Sequence, residues 1–382
     1  MSHSAWEDHR WNALPHLQGV VRADVCVVGL GGSGLSAIAA ALDHGLTVVG
    51  IDAAGVGGGA AGANGGLLLA GSARFYHQCI AILGRERTCQ LYRLTLDEID
   101  RMAALAPDLV RRTGSLRIAD DVAEYADCLR QFAAMRADDL PVELYEGTEG
   151  RGLLMPYDAA FQPLAYCRRL AVSALGRGAR LYEHTHAQSV RAQSMDGGVA
   201  TPQGRVRCRF VIVAVDGKLE SIVPELTGRV RTARLQMLGT APTDEVRLER
   251  PVYARFGYDY WQQLSDGRVL LGGCRDLAPL DEEWTHSTET TSAVQDLLTR
   301  RLRDHLHVQA PITHRWAASV GFTDNGLPIV EQVRPNVWVL GGYNGTGNVI
   351  GALCGRAAVD SLVGQPSALP TLSSGLECPS IV

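Results

Sequence analysis

The chain has 382 residues, of which 46% are hydrophobic and 20% charged, a composition typical of a globular protein with two or three domains. Its net charge of -5 argues against nucleic-acid binding, which requires clustered basic side chains. The nine cysteines form no CxxC pair, and the sequence shows neither a secretory signal nor a run of about 20 apolar residues. We expect a cytoplasmic protein without a membrane span, a disulfide framework or a metal site.

The first predicted elements form a βαβ unit. Residues 23–29 and 46–52 are short apolar stretches typical of buried strands, and residues 33–44 between them are typical of a helix built from small residues. Two strands joined by a helix in this way imply a parallel sheet with a right-handed crossover. The chain is therefore expected to begin as a nucleotide-binding fold.

The middle of the chain departs from this alternation. Its predicted elements are helices at 85–106 and 122–136 and strands at 114–118 and 142–145. These elements do not repeat the βαβ order, so the sequence predicts an inserted second domain.

The remaining segments combine both patterns. They comprise predicted helices at 163–175, 292–305 and 347–363 and predicted strands at 210–215, 234–238, 252–260, 269–272 and 337–340. The residues after Gly364 are rich in proline and serine, so a flexible tail is expected over 366–382.

A GxGxxG motif, Gly29–Gly34, lies between the first strand and the first helix. Gly29 permits a tight turn, Gly31 lets the backbone approach a pyrophosphate, and Gly34 allows close packing of helix on strand. The helix N-terminus offers free N–H groups to the anion. Asp52 ends the second strand about 20 residues later, where its carboxylate can accept from ribose hydroxyls. This motif alone does not separate FAD from NAD.

Three later segments favour FAD. The first is the loop 59–66, whose Asn64, Gly65 and Gly66 would let bare backbone pass close to a flat ring system, although a flexible loop is the alternative. The second, 210–217, resembles the late strand and turn of FAD proteins. The third, 341–348, places another glycine-rich turn before a helix, which a simple NAD dehydrogenase does not need.

With these motifs, the chain resembles the superfamily of FAD-dependent amine oxidoreductases that contains D-amino-acid oxidase, glycine oxidase and sarcosine oxidase. The resemblance covers about residues 20–365. Within it, Asn64–Gly66 (NGG), Tyr258–Asp276 (YDYWQQLSDGRVLLGGCRD) and Gly341–Asn348 (GGYNGTGN) are similar to the γ-glutamylputrescine-oxidase-like branch.

The resemblance implies an α/β fold with a Rossmann-like FAD-binding domain and an inserted antiparallel-sheet substrate domain. The expected FAD-binding domain is discontinuous and comprises 20–100, 150–230 and 315–365, and the expected substrate domain comprises 101–149 and 231–314. Expected cofactor-binding residues are Gly29, Gly31, Gly32, Ser33, Gly34, Asp52, Ala53, Asn64, Gly65, Gly66, Ala187, Ala214, Gly342, Tyr343, Gly345, Thr346, Gly347 and Asn348.

The implied activity is oxidation of the carbon beside an amine or amino-acid nitrogen, by hydride transfer to flavin N5, giving an imine that hydrolyses. Such an enzyme acts on CH–NH₂ or CH–NH donors and passes electrons to O₂ or to another acceptor. Two alternatives remain: a flavin-bearing subunit of a hetero-oligomeric amine dehydrogenase, and an NAD(P)-binding dehydrogenase. The oligomeric state does not follow from the sequence.

The chain departs from the family pattern at three places. Val320 stands where glycine-oxidase-like members carry the arginine that holds the substrate carboxylate, which puts a glycine or sarcosine oxidase in doubt. The cysteine that anchors flavin covalently in sarcosine oxidase is missing, and so is a histidine after the GxGxxG loop. We therefore expect non-covalent FAD. The sole lysine, Lys218, follows the strand at 210–215, so oxidase and dehydrogenase both remain open.

The candidate substrate residues are Arg255, Tyr258, Tyr260 and Arg275. If 252–260 is one strand, Tyr258 and Tyr260 point to the same face and their phenols can bind an amine or a carboxylate. Ordinary packing of aromatic side chains across strands is the alternative.

Overall fold

The computed structural model describes residues 4–7, 10–191, 197–278, 282–367 and 369. Its strands are β1 (Gly19–Val28), β2 (Val48–Ile51), β3 (Leu67–Leu68), β4 (Val110–Arg111), β5 (Ser115–Ile118), β6 (Glu143–Gly147), β7 (Gly150–Met155), β8 (Ala159–Phe161), β9 (Arg180–Tyr182), β10 (Ser189–Arg191), β11 (Gly198–Ala200), β12 (Gly204–Val213), β13 (Arg231–Pro242), β14 (Val252–Ala254), β15 (Asp259–Gln263), β16 (Arg268–Gly272), β17 (Ile312–Phe322), β18 (Ile329–Arg334) and β19 (Val337–Gly341). Its α-helices are α1 (Gly32–Asp43), α2 (Ala60–Ala63), α3 (Tyr76–Leu83), α4 (Arg85–Leu105), α5 (Val122–Ala137), α6 (Pro163–Gly176), α7 (Ser292–Arg300) and α8 (Ile350–Leu362).

The chain divides into two compact units. We call them the parallel-sheet unit and the mixed-sheet unit after their main sheets. The parallel-sheet unit comprises Asp8–Gly62, Leu164–Thr232 and Val320–Val382, and the mixed-sheet unit comprises Met1–Glu7, Ala63–Pro163 and Ala233–Ser319. The predicted domain boundary at residue 100 falls inside α4, which belongs to the mixed-sheet unit together with residues 63–84.

In the parallel-sheet unit, β19, β12, β1, β2 and β9 lie side by side and run parallel. The antiparallel β18 pairs with β19, and β10 and β11 extend the sheet beyond β12. Residues Val25–Val28 at the centre are fully buried, as expected of a strand covered on both faces. The predicted opening βαβ unit is confirmed as β1, α1 and β2.

Helices α1 and α8 pack closely in this unit because of one glycine. A Cβ atom at Gly355 would overlap the carbonyl oxygen of Ser33 and come within 2.9 Å of the backbone nitrogen of Ala37. The first turn of α1 therefore lies against α8, and any larger residue at position 355 would separate the two helices.

The mixed-sheet unit contains an eight-stranded sheet in the order β17-β13-β16-β15-β14-β5-β7-β6. Its described strand pairs are antiparallel except for β14 and β5, which run parallel. One face is apolar and packs against α7, with Leu116, Trp261 and Leu271 of the sheet meeting Val294 and Leu298. A short sheet of β3, β8 and β4 completes the unit.

The opposite face of this sheet carries a row of cross-strand neighbours that includes polar side chains. Arg117 of β5 pairs with Tyr253 of β14, Tyr253 pairs with Tyr260 of β15, and Tyr260 pairs with Gly272 of β16. Since side chains alternate along a strand, Gln262 shares this face with Tyr260. The sheet is therefore amphipathic.

Three predicted elements are wrong in extent. The stretch 252–260 is not one strand, because Arg255–Gly257 form a 3₁₀ turn in which Arg255 and Phe256 both have left-handed backbone. The predicted helix 292–305 is α-helical only to Arg300 and continues as a π-helical turn over Arg301–His305. The last helix begins at Ile350, three residues later than predicted, since the glycine-rich turn extends that far.

No helix among the described residues is long and apolar enough to cross a membrane. The same part of the chain holds no cluster of His, Cys, Asp or Glu able to bind a metal ion. The cysteines in it are all free thiols. The predicted tail over 366–382 lies almost wholly outside the described residues.

Candidate cofactor and substrate sites

Four strands of the parallel-sheet unit end at the same edge of the sheet. Strands β1, β2, β12 and β19 run parallel and end at Val28, Ile51, Val213 and Gly341. The loops that follow them contain most of the predicted cofactor residues. In open parallel sheets, ligands bind outside the carboxyl ends of the strands.

The loop after β1 depends on its glycines. Gly29 has φ +107°, and a Cβ atom there would overlap the carbonyl oxygen of Ala214 at the end of β12. A Cβ atom at Gly34 would in turn overlap the carbonyl oxygen of Gly29. A Cβ atom at Gly32, by contrast, would meet nothing within 4 Å. The surrounding backbone therefore leaves no room for a side chain at Gly29 or Gly34. The space beside Gly32, at the N-terminus of α1, is open.

The N-terminus of α1 is prepared for an anion. Its N-cap is Gly31, which offers no side chain as a cap, and the first turn contains no acidic residue. The N–H groups of a first helical turn lack intrahelical acceptors and carry a partial positive charge. Gly32 and Ser33 thus present backbone donors to the open space beside Gly32.

Asp52 follows β2 and supports the first loop. Its carboxylate accepts the N–H of Leu30 at 2.7 Å and the N–H of Ala54 at 2.8 Å. Burial raises its pKa, and these two backbone donors oppose the rise. Ala53 beside it is exposed. Each carboxylate oxygen keeps a second lone pair, so Asp52 retains acceptor capacity for a ribose hydroxyl.

Asp216, just after β12, holds the second glycine-rich loop. Its carboxylate accepts the N–H of Gly321 at 2.8 Å and the N–H of Tyr343 at 3.2 Å. Burial raises the pKa of this carboxyl, while the backbone donors lower it. The turn after β12 and the loop after β19 are therefore held together by one side chain.

The second glycine-rich loop, Gly342–Asn348, contains two glycines with left-handed backbone. Gly342 and Gly345 have φ of +66° and +86°. The hydroxyl of Thr346 donates to the carbonyl of Tyr343 at 2.9 Å. A Cβ atom at Gly347 would lie 3.1 Å from the Tyr343 ring, so the loop wraps closely around that side chain.

The remaining predicted cofactor residues of this unit lie apart from its helix termini. Ala214 directly follows β12 and is buried. Ala187 precedes β10, and its side chain is buried in the apolar core of the unit, so only its backbone is available to a ligand.

The hydrogen-bond donors at this edge of the parallel sheet fit FAD. A pyrophosphate needs N–H donors at a helix N-terminus, which α1 supplies without a competing cap. The Tyr343 phenol oxygen is buried near the Ser33 side chain but makes no well-formed hydrogen bond among the described residues, a situation that a polar ligand group would relieve. Burial raises the pKa of this phenol well above its ordinary value, so it is a neutral donor.

In the mixed-sheet unit, side chains bind three successive carbonyls of the loop Ala63–Gly66. The Trp316 indole donates to Ala63 O at 2.7 Å, the Trp6 indole donates to Asn64 O at 2.7 Å, and the Gln262 amide donates to Gly65 O at 2.5 Å. Gly66 has φ +72°, and its N–H donates to the Asn64 side chain at 2.9 Å. The backbone of this loop is held in one conformation.

Tyr260 lies against this loop. A Cβ atom at Gly65 would come within 2.7 Å of Cδ2 of the Tyr260 ring, and a Cβ atom at Gly272 would overlap the same ring. Both glycines are therefore needed to seat the phenol. Burial raises the pKa of Tyr260, and the nearby Arg275 guanidinium partly opposes that rise. The phenol is consequently a protonated hydrogen-bond donor at neutral pH.

The other three predicted substrate residues form a separate charged cluster. Tyr258 has helical dihedral angles and precedes β15, so it does not share a strand with Tyr260. Arg275 lies over the Tyr258 ring at 4.8 Å and pairs with Glu283 at 2.6 Å. Arg255 pairs with Asp259 at 3.1 Å and with Asp276. Carboxylates of the protein already engage both guanidinium groups.

Two residues with clear geometric roles, Asp216 and Gln262, lie in segments that the sequence analysis singled out but were not among the predicted site residues. Asp216 had a detectable signal, because it follows a buried parallel strand as Asp52 does. Gln262 also had one, because it lies two residues after Tyr260 on the same strand. Their partners are 127 and 197 positions away, which short-range patterns do not reveal.

Comparisons with known proteins identify the family and support the fold. Residues 24–361 match the family model of the FAD-dependent oxidoreductases, DAO. A probable oxidoreductase OrdL of Rhizobium meliloti is 25% identical over 94% of this chain and 87% of its own length. The gamma-glutamylputrescine oxidoreductase of Escherichia coli is 24% identical over 95% and 89%. The crystal structure of glycine oxidase from Geobacillus kaustophilus superposes with a TM-score of 0.75 at 20% identity, over 92% of this chain and 97% of that one.

The family match covers most of the chain, and the fold of the solved structure supports the predicted α/β class with a Rossmann-like FAD-binding part. The predicted superfamily and the predicted cofactor are confirmed. This chain belongs to the DAO family of FAD-dependent oxidoreductases.

Proposed function

We propose that this protein uses FAD to oxidise the carbon beside the nitrogen of a small amine, giving an imine that hydrolyses. The family supports an oxidoreductase acting on amines or amino acids. The observation that carries the finer proposal is the protonated phenol of Tyr260, seated on the loop Ala63–Gly66.

The residues of the parallel-sheet unit are proposed to hold the nucleotide part of FAD. Backbone N–H groups of Gly32 and Ser33 bind the pyrophosphate, and Asp52 accepts from the ribose. Tyr343 donates its buried phenol, and Asp216 keeps the loop that carries Tyr343 in place. None of these roles requires a covalent bond.

When bound, FAD supplies the hydride acceptor at flavin N5. The residues of the mixed-sheet unit are proposed to orient the substrate for that transfer. Asn64–Gly66 present bare backbone to the flavin ring, and Tyr260 donates a hydrogen bond to the substrate. Arg275 acts indirectly, because it packs on Tyr258 and its charge partly opposes the burial that raises the pKa of Tyr260.

The placement of charged side chains favours an amine over an α-amino acid as the substrate. Val320 provides no guanidinium where the resembling glycine oxidases have one, and Arg255 and Arg275 are paired with protein carboxylates. A substrate carboxylate that bound to either arginine would have to compete with these ion pairs. The name of the Escherichia coli relative, which specifies an acylated diamine, agrees with this inference.

The test is flavin reduction without oxygen, using pairs of compounds that differ only in an α-carboxylate. Examples are ethylamine against alanine and putrescine against ornithine. The expected result is bleaching of the flavin by members of the amine set, with slower or no bleaching by their carboxylated partners. Faster bleaching by the carboxylated members would contradict the proposed substrate class.

A second measurement tests the mode of FAD attachment. Acid precipitation of the holoenzyme should leave the flavin in the supernatant, because the anchoring cysteine and histidine of covalent flavoenzymes are missing from the matching positions. Yellow colour in the washed pellet would contradict non-covalent binding. Admitting air to the reduced enzyme then distinguishes an oxidase, which reoxidises at once, from a dehydrogenase.

A further inference from the structure

The N-terminal segment Ser4–Glu7 is folded into the mixed-sheet unit. The N–H of Glu7 donates to the carbonyl of Ser4 at 3.1 Å, which closes a turn. Ala5 and Trp6 in this turn are 5% and 3% exposed. A buried tryptophan removes a large apolar area from water, so the segment is anchored firmly.

Three hydrogen bonds fix the position of the turn that contains Trp6. Its indole N–H donates to the carbonyl of Asn64 at 2.7 Å, and its own carbonyl accepts from the amide of Gln162 at 2.8 Å. The carbonyl of Ala5 accepts from the guanidinium of Arg268 at 2.8 Å. The ring also covers Gly66, where a Cβ atom would come within 2.9 Å of Cη2.

These contacts make Trp6 the partner of the central carbonyl in the loop Ala63–Gly66. The neighbouring carbonyls of Ala63 and Gly65 are bound by Trp316 and Gln262 of the sheet. Asn64 is bound instead by a residue 58 positions earlier in the chain. Without the indole, that carbonyl would lose this hydrogen bond beside Gly66, whose left-handed backbone depends on its surroundings.

We infer that Trp6 is a positioning residue for the flavin-contacting loop Asn64–Gly66, so that the N-terminal segment belongs to the cofactor-binding apparatus. The inference rests on the proposed role of that loop. Trp6 acts through the Asn64 carbonyl and the backbone of Gly66, and it touches no reacting atom. An N-terminal turn thereby determines how tightly FAD is held.

The decisive variant is Trp6→Phe, which keeps most of the ring packing and removes the N–H donor. The matched control is Trp11→Phe. It also removes an indole donor near the N-terminus, in that case to Glu183 at 3.1 Å within the parallel-sheet unit. A second test variant, Arg268→Met, removes the hydrogen bond to the carbonyl of Ala5 in the same turn and leaves Trp6 unchanged.

The measurements on the holoenzymes are hydrogen exchange of residues 63–70 and the rate of FAD release on dilution. For Trp6→Phe we expect faster exchange confined to this loop and FAD release about tenfold faster, as follows from one buried carbonyl without its donor. Arg268→Met should shift both readouts in the same direction, and Trp11→Phe should leave exchange of residues 63–70 at the wild-type rate.

Two results would overturn the inference. Wild-type exchange of residues 63–70 in Trp6→Phe would show that the indole does not hold the loop. Faster exchange with unchanged FAD release would show that the loop does not contact FAD. The inference would then fail because the proposed role of the loop, on which it rests, would be wrong. Failure of the proposed amine oxidation is seen separately, in the wild-type enzyme, as a flavin that no amine bleaches.

Discussion

The phenol ring of Tyr260 lies directly on the backbone of Gly65, so closely that a Cβ atom at Gly65 would come within 2.7 Å of Cδ2 of the ring. This contact joins the polar face of the mixed sheet to the loop Ala63–Gly66. Gln262 strengthens it, because its amide donates to the carbonyl of Gly65 from the next position on the same face. Tyr260, and not Tyr258, is thus placed beside the predicted flavin-contacting loop.

This placement predicts different outcomes for the two tyrosines. Tyr260→Phe should slow flavin reduction or weaken substrate binding by ~0.5–1.5 kcal/mol, because it removes one hydrogen bond and leaves the ring packing intact. Tyr258→Phe should leave these parameters unchanged, since its ring packs under Arg275 outside β15. The measurement is the flavin reduction rate against substrate concentration, with thermal melts of both variants. Wild-type kinetics in Tyr260→Phe would show that the Tyr260 hydroxyl does not bind the substrate.

Replacing Asp52 should weaken FAD binding. Asp52→Ala removes the proposed ribose acceptor, so FAD affinity should fall by ~1–3 kcal/mol, measured by titration of the apoprotein. The variant should also melt earlier, because the N–H groups of Leu30 and Ala54 lose their acceptor.

Asp24→Ala is the matched control for Asp52. Its carboxylate also accepts a backbone N–H within the parallel-sheet unit, that of Thr47 at 2.9 Å, but it lies at the far end of the parallel strands. We expect this variant to bind FAD normally. Equal FAD affinity in Asp52→Ala and Asp24→Ala would argue against a ribose contact.

Free glycine and sarcosine should be poor substrates, because Val320 replaces the carboxylate-binding arginine of the resembling enzymes. Val320→Arg is expected to increase flavin reduction by both compounds and to reduce it for amines that lack a carboxylate. Val320→Leu, which changes size without charge, should do neither. Rapid bleaching of the wild-type flavin by millimolar glycine would refute this prediction.

The buried Asp158 should make stability depend on pH. Burial raises its pKa to about 7, although the Ser115 hydroxyl and the N–H of Ala70 bind its carboxyl group. The folded state therefore holds this proton more tightly than the unfolded chain, in which the pKa of an aspartic acid is 3.8. The contribution of the group to stability is complete below that unfolded-state pKa and is lost as the pH rises to about 7. The free energy of unfolding should decrease by about 1.4 kcal/mol per pH unit within that window.

Asp158→Asn tests this relation, because the amide cannot ionise. Thermal melts from about pH 5 to pH 8 should show a decline in the wild-type midpoint that the variant lacks. Glu143→Gln, which changes an exposed carboxylate on the edge strand β6, should keep the wild-type profile. Parallel profiles for wild type and Asp158→Asn would mean that Asp158 is already ionised in the folded protein at pH 5.

The cofactor motifs were predictable because each is local in sequence. Gly29–Gly34 lies within one strand, turn and helix, and its glycines are required by contacts among β1, α1 and Ala214. The apolar runs of β1 and β2 need no distant partner to identify them as buried strands. The nucleotide-binding beginning of the fold therefore follows from short-range patterns.

The substrate side was less predictable because it depends on tertiary contacts. Alternation along 252–260 suggested one strand, but left-handed backbone at Arg255 and Phe256 breaks the two-residue period before Tyr258. This turn is held by distant partners, since the N–H of Phe256 donates to Glu124 at 2.5 Å. The role of Trp6 likewise becomes visible only when Asn64 is placed beside it.

The most direct test of amine oxidation is to add NADH, NADPH and the amine panel separately to the oxygen-free holoenzyme and to record flavin absorbance and products. We predict that one or more amines bleach the flavin, with one carbonyl product released for each flavin reduced, and that neither nicotinamide does so. Bleaching by NADH or NADPH, with no reduction by any amine, would contradict amine oxidation as the activity of this protein.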